Sequence, residues 1–190
     1  MSTTQQAYIM LGNENLWQVV MQCHRALVES HIPYTVCGGV AVCLHGYQRN
    51  TIDLDLIIRR PDSSAVRSAL ENAGLAWHEQ EAEFRSSSGI PVPFLYSGDR
   101  AGKDAEFSLP EPEGELNVET LENLSVLRLS KLIEIKIACG LGSVRRTHKD
   151  LADVVELIAV RKLDSSFARF LHKSVRQTFR KLVKSAHGES

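Results

Sequence analysis

An α/β fold, with a small mixed sheet flanked by helices and further helices after it, is predicted by three observations. Residues 13–58 read helix, strand, glycine pair, helix, strand. Two more β-prone runs lie at 83–87 and 92–96, and from residue 130 onward the apolar residues recur at helical spacing. The chain has 190 residues, 43% hydrophobic and 24% charged, a mix that supports a folded core and excludes a disordered or fibrous chain.

The elements follow in order. Leu16, Val19, Val20, Cys23 and Leu27 mark one face of a helix over 13–30, with Asn13 as its cap and Glu14 at the favourable end of its dipole. Pro33 ends it. Tyr34-Thr35-Val36-Cys37 is a short strand closed by Gly38-Gly39, and the apolar run 40–44 opens a helix. TIDLDLII, residues 51–58, is the best strand pattern in the chain. Asp62-Ser63-Ser64 caps a helix through Val66, Leu70 and Ala73, which Gly74 closes. The weaker strands 83–87 and 92–96 flank a Ser-Ser-Ser-Gly turn and form a hairpin. Residues 97–115, rich in Gly, Pro and charge, are expected to cross the surface as an extended loop. Ser130 caps a helix ending at Gly140, a second runs over 149–160, and a third over 165–185 carries Phe167, Phe170, Leu171, Val175, Phe179 and Leu182 on one face. Residues 1–115 are thus expected to form the core, with 116–190 as a helical part packed on it.

Lys and Arg total 22 against 23 Asp and Glu, which excludes a uniformly basic nucleic-acid coat. The balance is uneven, because residues 161–190 hold eight basic residues and two acids. A solvated basic helix face and a grip on nucleic-acid phosphate both fit that pattern. No apolar run approaches the roughly 20 residues of a membrane span, and the polar start MSTTQQ lacks a secretory layout, so a cytoplasmic protein without membrane contact is expected. The four cysteines form no CxxC pair and read as small core residues.

In a strand, alternate side chains share a face, so Asp53 and Asp55 project together about 7 Å apart. Two carboxylates so placed either share a divalent cation with a substrate phosphate or face water at a sheet margin. Gly38-Gly39, with 13 residues between Gly39 and Asp53, is either an ordinary turn or a place where backbone approaches a phosphate closely. Arg49 and Thr51 add a guanidinium and a hydroxyl that suit phosphate. His45 beside Gly46 is a candidate pocket or turn residue.

CGGVAVCLHGYQRNTIDLDLII resembles the signature of the nucleotidyltransferase superfamily that includes DNA polymerase beta. LSKLIEIKIACG and RRTHKDLADVVELI are similar to its AbiEii-like abortive-infection toxin branch and uncharacterised bacterial relatives. The likeness covers about residues 34–160. It implies a nucleotidyltransferase-like α/β fold in which Asp53 and Asp55 are catalytic and hold Mg²⁺ or Mn²⁺, and Gly38 and Gly39 cradle the triphosphate of an NTP. Arg49, Thr51, Lys136 and Lys149 are implied to complete the nucleotide site, with Asp150 and Asp153 flanking it. The implied reaction moves a nucleoside monophosphate onto a hydroxyl of a protein, a tRNA or a small molecule, and a cognate antitoxin is the implied partner. By residue type alone, Asp150 also fits an acid at a helix N-terminus, and Lys136 a solvated helical lysine.

Active members carry a third carboxylate on a later strand, where GIPVPFLYSGD places Pro93. Proline binds no cation and donates no ladder hydrogen bond, so this strand is expected at a sheet edge. Asp99, Glu83 and Glu106 are the candidate substitutes. A catalytically silent binding module is therefore the competing expectation.

Overall fold

The computed structural model describes residues 3–188. Met1, Ser2, Glu189 and Ser190, which belong to the polar start and the basic tail, lie outside them. Seven strands form one mixed sheet: β1 (Tyr34–Val36), β2 (Leu56–Ile58), β3 (Ala76–His78), β4 (Glu83–Arg85), β5 (Pro91–Tyr96), β6 (Val118–Leu121) and β7 (Leu124–Leu127). Their spatial order is β3-β4-β5-β2-β1-β7-β6. β2 runs antiparallel to β1 and parallel to β5, and β1 runs parallel to β7. The three residues of β2 are all at most 1% exposed, so both sheet faces are covered there.

The helices are α1 (Thr4–Met10), α2 (Glu14–Glu29), α3 (Gly38–Leu44), α4 (Ser63–Asn72), α5 (Leu129–Gly142), α6 (Val144–Arg161) and α7 (Arg176–His187). α2 packs on α1 and α4, while α5, α6 and α7 pack in succession, with α3 against α5. Leu16, Val20, Cys23 and Leu27 of α2 are buried as their spacing requires. No helix of the described residues is long and apolar enough to cross a membrane.

The small mixed sheet with flanking and C-terminal helices is the expected architecture, and its departures have local causes. Asn13 does not cap α2 with its side chain, but donates to the Thr51 carbonyl at 2.6 Å and ties the helix to the loop before β2. The strand expected over 51–58 is regular only from Leu56, and β5 is not an edge strand, because it lies between β2 and β4. The two facts share a cause. The Leu54 amide donates to the Pro91 carbonyl, so Pro91 and, two residues on, Pro93 turn their backbone groups toward β2. The missing proline N–H groups thus interrupt the ladder beside 53–55 and leave the β4 side intact.

The loop 97–115 does not lie loosely on the surface. Ala101 and Leu109 are buried, Ala101 and Phe107 are hydrogen-bonded across it, and the Cys139 thiol donates to the Ala101 carbonyl. A Cβ on Gly102 would stand 2.9 Å from the Ala138 carbonyl oxygen, so only glycine lets this strap lie on α5. The helix expected over 165–185 is broken into 3-10 turns at Ser165–Phe170 and Lys173–Val175 before α7 begins. α6 starts at Val144 instead of 149, which moves Asp150 from a helix N-terminus into its second turn, where it is 1% exposed. Its expected role as a dipole-complementing acid is therefore replaced by that of a buried ion-pair partner.

Candidate active site

Between the end of β1, the 53–55 stretch and α5 lies a cavity of about 220 Å³. Gly38, Asp55, Lys136, Arg146 and Asp150 line it, and the strap closes it with Arg100, Ala101 and Leu109. β1 delivers the chain to Cys37, whose amide donates to the Asp55 carbonyl at 3.0 Å, continuing the β1–β2 pairing to the mouth of the cavity. There Gly38 turns the backbone with a φ of +60°. A Cβ at this position would fall 1.7 Å from Asp55 Oδ2, and one at Gly39 would fall 2.4 Å from Thr51 Oγ1. The glycine pair thus exists to let backbone meet these two side chains, a closer account than an ordinary turn.

Thr51 Oγ1 donates to Asp53 Oδ1 at 2.9 Å and fixes that carboxylate. Asp55 is half-buried, and burial first, then the charge of Asp53, push its carboxyl up to about 6. Lys136, Arg146 and Lys149 pull in the opposite direction. Lys149 is exposed on α6 and does not line the cavity.

Lys136 is not solvated: its ammonium lies 2.9 Å from Asp150 Oδ1 and 2.7 Å from Asp153 Oδ2. Arg49 embraces Asp153 from the other side, with Nε and Nη2 at 2.6 and 2.8 Å. Burial alone would raise the Asp153 carboxyl, but Arg49 and Lys136 overcome it and hold it below its ordinary value. Arg49 therefore fastens the loop before β2 to α6, while Lys136 both anchors α6 and faces the cavity. Arg146 completes the cluster, with Nε 3.1 Å from Asp150 Oδ2. Sequence reading passed over Arg146, although its place one turn before Asp150 in RRTHKD was a usable signal.

Other candidates fall elsewhere. His45 is buried and bonds the Leu127 carbonyl at 2.7 Å, holding α3 to β7. Asp99 pairs with Arg60 and Glu83 with Arg85, and Glu106 lines a separate groove, so none of the three lines the cavity. Register places Pro93 in the position beside Asp55: Leu56 pairs with Phe94, and one step back along both parallel strands sets Asp55 beside Pro93. Cys37 and Cys139 line the cavity, and burial pushes both thiols up.

Asp53 and Asp55 carry hard oxygen donors of the kind a magnesium-like cation takes, and of the two only Asp55 lines the cavity. Among the described residues no group of three or more His, Cys, Asp or Glu side chains is placed to hold a metal.

No family model and no curated protein matches the sequence. Solved structures do match in shape. JHP933 from Helicobacter pylori is 17% identical with a TM-score of 0.51, covering 99% of this chain and 82% of that one. An H. pylori protein provisionally described as a nucleotidyltransferase is 16% identical with a TM-score of 0.53, covering 91% and 80%. ANT(2'')-Ia in complex with adenylyl-2''-tobramycin is 12% identical with a TM-score of 0.57, covering 90% and 97%. At these identities the likeness is one of fold: the chain has the nucleotidyltransferase-like α/β architecture, with Gly38 and Asp55 meeting at its cavity and Asp53 outside the lining.

Proposed function

We propose that this chain transfers a nucleoside monophosphate from an NTP to a hydroxyl acceptor at the Gly38–Asp55 cavity. The observation that carries the reading is the contact of the glycine corner with Asp55 on a cavity that Lys136 and Arg146 also line. Backbone without side chains admits the polyphosphate beside the acids, and the two cations oppose its charge. The acceptor oxygen forms a bond to the α-phosphorus as its hydroxyl proton is released to the buffer, the bond from that phosphorus to the bridging oxygen breaks, and pyrophosphate leaves with the electron pair. Asp53, fixed by Thr51, and Asp55 would hold Mg²⁺ or Mn²⁺, which supplies charge neutralisation at the reacting phosphate. Lys136 and Arg146 face the developing charge, and the strap over Leu109 keeps water from the reacting atoms.

The fold neighbour bound to adenylyl-2''-tobramycin supports a hydroxyl acceptor of this general kind. A protein side chain and a tRNA end belong to the same proposal, as do the AbiEii-like branch and a cognate antitoxin, which rest on LSKLIEIKIACG and RRTHKDLADVVELI.

One observation favours a second reading, a silent nucleotide-binding module: Pro93 occupies the position beside Asp55 where an acid would complete the set. Incubation with α-labelled NTPs, Mg²⁺ or Mn²⁺ and a mixture of RNA, protein and amino-sugar acceptors separates the two. Labelled product that disappears in Asp53→Ala/Asp55→Ala is expected. NTP binding without product, indifferent to that double substitution, selects the silent module.

A further inference from the structure

The strap over the active-site cavity has bonds of its own. Arg100 and Ser108 pair across it as an antiparallel bridge. The Gly98 amide donates to the Leu109 carbonyl at 3.0 Å, the Leu109 amide to the Asp99 carbonyl at 2.7 Å and the Ala101 amide to the Phe107 carbonyl at 3.2 Å. Residues 99–109 therefore meet much of their backbone pairing among themselves. Glycines stand at the two ends of this unit. Gly98 has a φ of +86° with no atom within 4 Å of where a Cβ would stand, and Gly114, a few residues past Pro110, has a φ of +90°. Such positions take up changes in backbone angle at little steric cost.

What holds the unit down is modest. Among the described residues two side-chain hydrogen-bonded contacts tie 99–109 to the body: Cys139 Sγ donates to the Ala101 carbonyl at 3.1 Å, and Arg60 Nη2 lies 2.9 Å from both carboxylate oxygens of Asp99. Both partners of the Arg60–Asp99 pair are more than half exposed, so the pair is worth little. The apolar anchors are Ala101 and Leu109, both buried, and Phe107, packed on His172 with ring centres 5.1 Å apart. Open space borders the rest. Besides the 220 Å³ cavity beneath the strap, a cavity of about 470 Å³ adjoins Phe107, Ser108 and Pro110, and a groove of about 250 Å³ adjoins residues 104–107. A segment with few ties and three voids along it is among the first parts of a fold to move. The enclosed 220 Å³ is also below the roughly 300–1,000 Å³ of small-molecule sites, so an NTP does not fit whole beneath a strap in this position.

We infer that residues 99–109 are a hinged lid, which swings on Gly98 and the 110–114 segment to admit a ligand and then lays Ala101 and Leu109 over it. The Cys139 thiol and the Arg60–Asp99 pair are its two latches. Hinges, latches and enclosure are features of the fold, so the lid is independent of the reaction performed beneath it; that its ligand is an NTP rests on the nucleotidyl-transfer reading.

Labelling of the folded full chain with N-ethylmaleimide, read cysteine by cysteine in a mass spectrometer, tests the lid. Cys37 is 2% exposed and lines the cavity beneath the strap, whereas Cys23 and Cys43 are buried outside its lining and report global unfolding. The reference chain is Cys139→Ser, which takes no label at the latch and keeps a hydroxyl to donate to Ala101. Against it, Cys139→Ala should label Cys37 about twofold faster or more. In the reference chain, Asp99→Asn or salt raised to about 1 M should accelerate Cys37 about two- to fivefold, and Leu109→Ala about tenfold or more. Cys23 and Cys43 should keep their rates throughout. Cys37 labelled in step with Cys23 and Cys43 in every variant would mean that the cavity opens only as the chain unfolds, and overturns the inference. So does a Cys37 rate that neither salt nor any of these substitutions alters. Each of the four NTPs is then added with Mg²⁺, and the one that binds should slow Cys37 about threefold or more as the lid closes on it. A lid that loosens as described while no NTP protects Cys37 stands as a lid, and sinks the NTP reading.

Discussion

Two residues, Gly38 and Asp55, define the site, and each has a cost that the fold carries. Asp55 has an ordinary carboxyl value of 3.8 when unfolded and about 6 when folded, because burial and Asp53 disfavour its charge. The folded state therefore holds this proton to higher pH than the unfolded chain. The contribution is favourable below about pH 4, declines as pH rises toward 6, and above that the ionised group opposes folding by about 1–3 kcal/mol. In metal-free buffer at pH 7.5, Asp55→Asn should accordingly melt higher than the parent by about 2–6 °C, and the gap should close as the pH approaches 4. A variant that melts lower at pH 7.5 would refute the assignment. Gly38→Ala acts oppositely: its Cβ meets Asp55 Oδ2 at a φ that L residues avoid. The substitution should lower stability by about 1–3 kcal/mol and abolish NTP-dependent labelling, read by thermal denaturation and product assay together.

At the scale of elements, what could be read from the sequence depended on whether the signal was local. The Ser-Ser-Ser-Gly turn and the α2 stripe follow from turn chemistry and helical spacing and lie where those rules place them, whereas of TIDLDLII only Leu56–Ile58 is regular strand and Asp53 and Asp55 precede it. α1 was missed although Thr3 and Gln6 form a capping box, a pattern present in TTQQ. The β6–β7 hairpin was missed for a different reason. Its two-residue turn, Glu122-Asn123, has φ of 47° and 66°, a geometry usually announced by glycine, and Glu122 is held there by accepting from Thr4 at 2.8 and 2.7 Å. The centrality of β5 was illegible because proline's penalty depends on which neighbour its nitrogen faces. That geometry also supplies a test. Pro93 stands beside Asp55, so Pro93→Asp should raise metal-dependent product formation about tenfold or more by adding a third oxygen donor, whereas Pro93→Ala should change it little. Equal rates in the two variants would show that the position does not face the reacting phosphate.

At the scale of the molecule, one charge cluster joins the two halves of the cleft. Arg49 comes from the loop before β2, Lys136 from α5, and Asp150 and Asp153 from α6, so elements about a hundred residues apart in sequence meet at three buried side chains and one guanidinium. The resemblance carried by RRTHKDLADVVELI implied that both acids flank the site, but pairing at this range has no local signature, and the engagement of Lys136 and Arg49 with them was beyond a linear reading. Removing a single member leaves partners buried without a counter-charge, which is worse than removing the set. Asp153→Ala should therefore lower stability by about 3–5 kcal/mol, and adding Arg49→Met to it should recover part of that loss, because the guanidinium then no longer lacks a partner. A double-mutant cycle by chemical denaturation measures the coupling. If the two losses simply add, Arg49 and Asp153 act independently, and the α6 wall of the cavity is held by apolar packing instead of by this bridge.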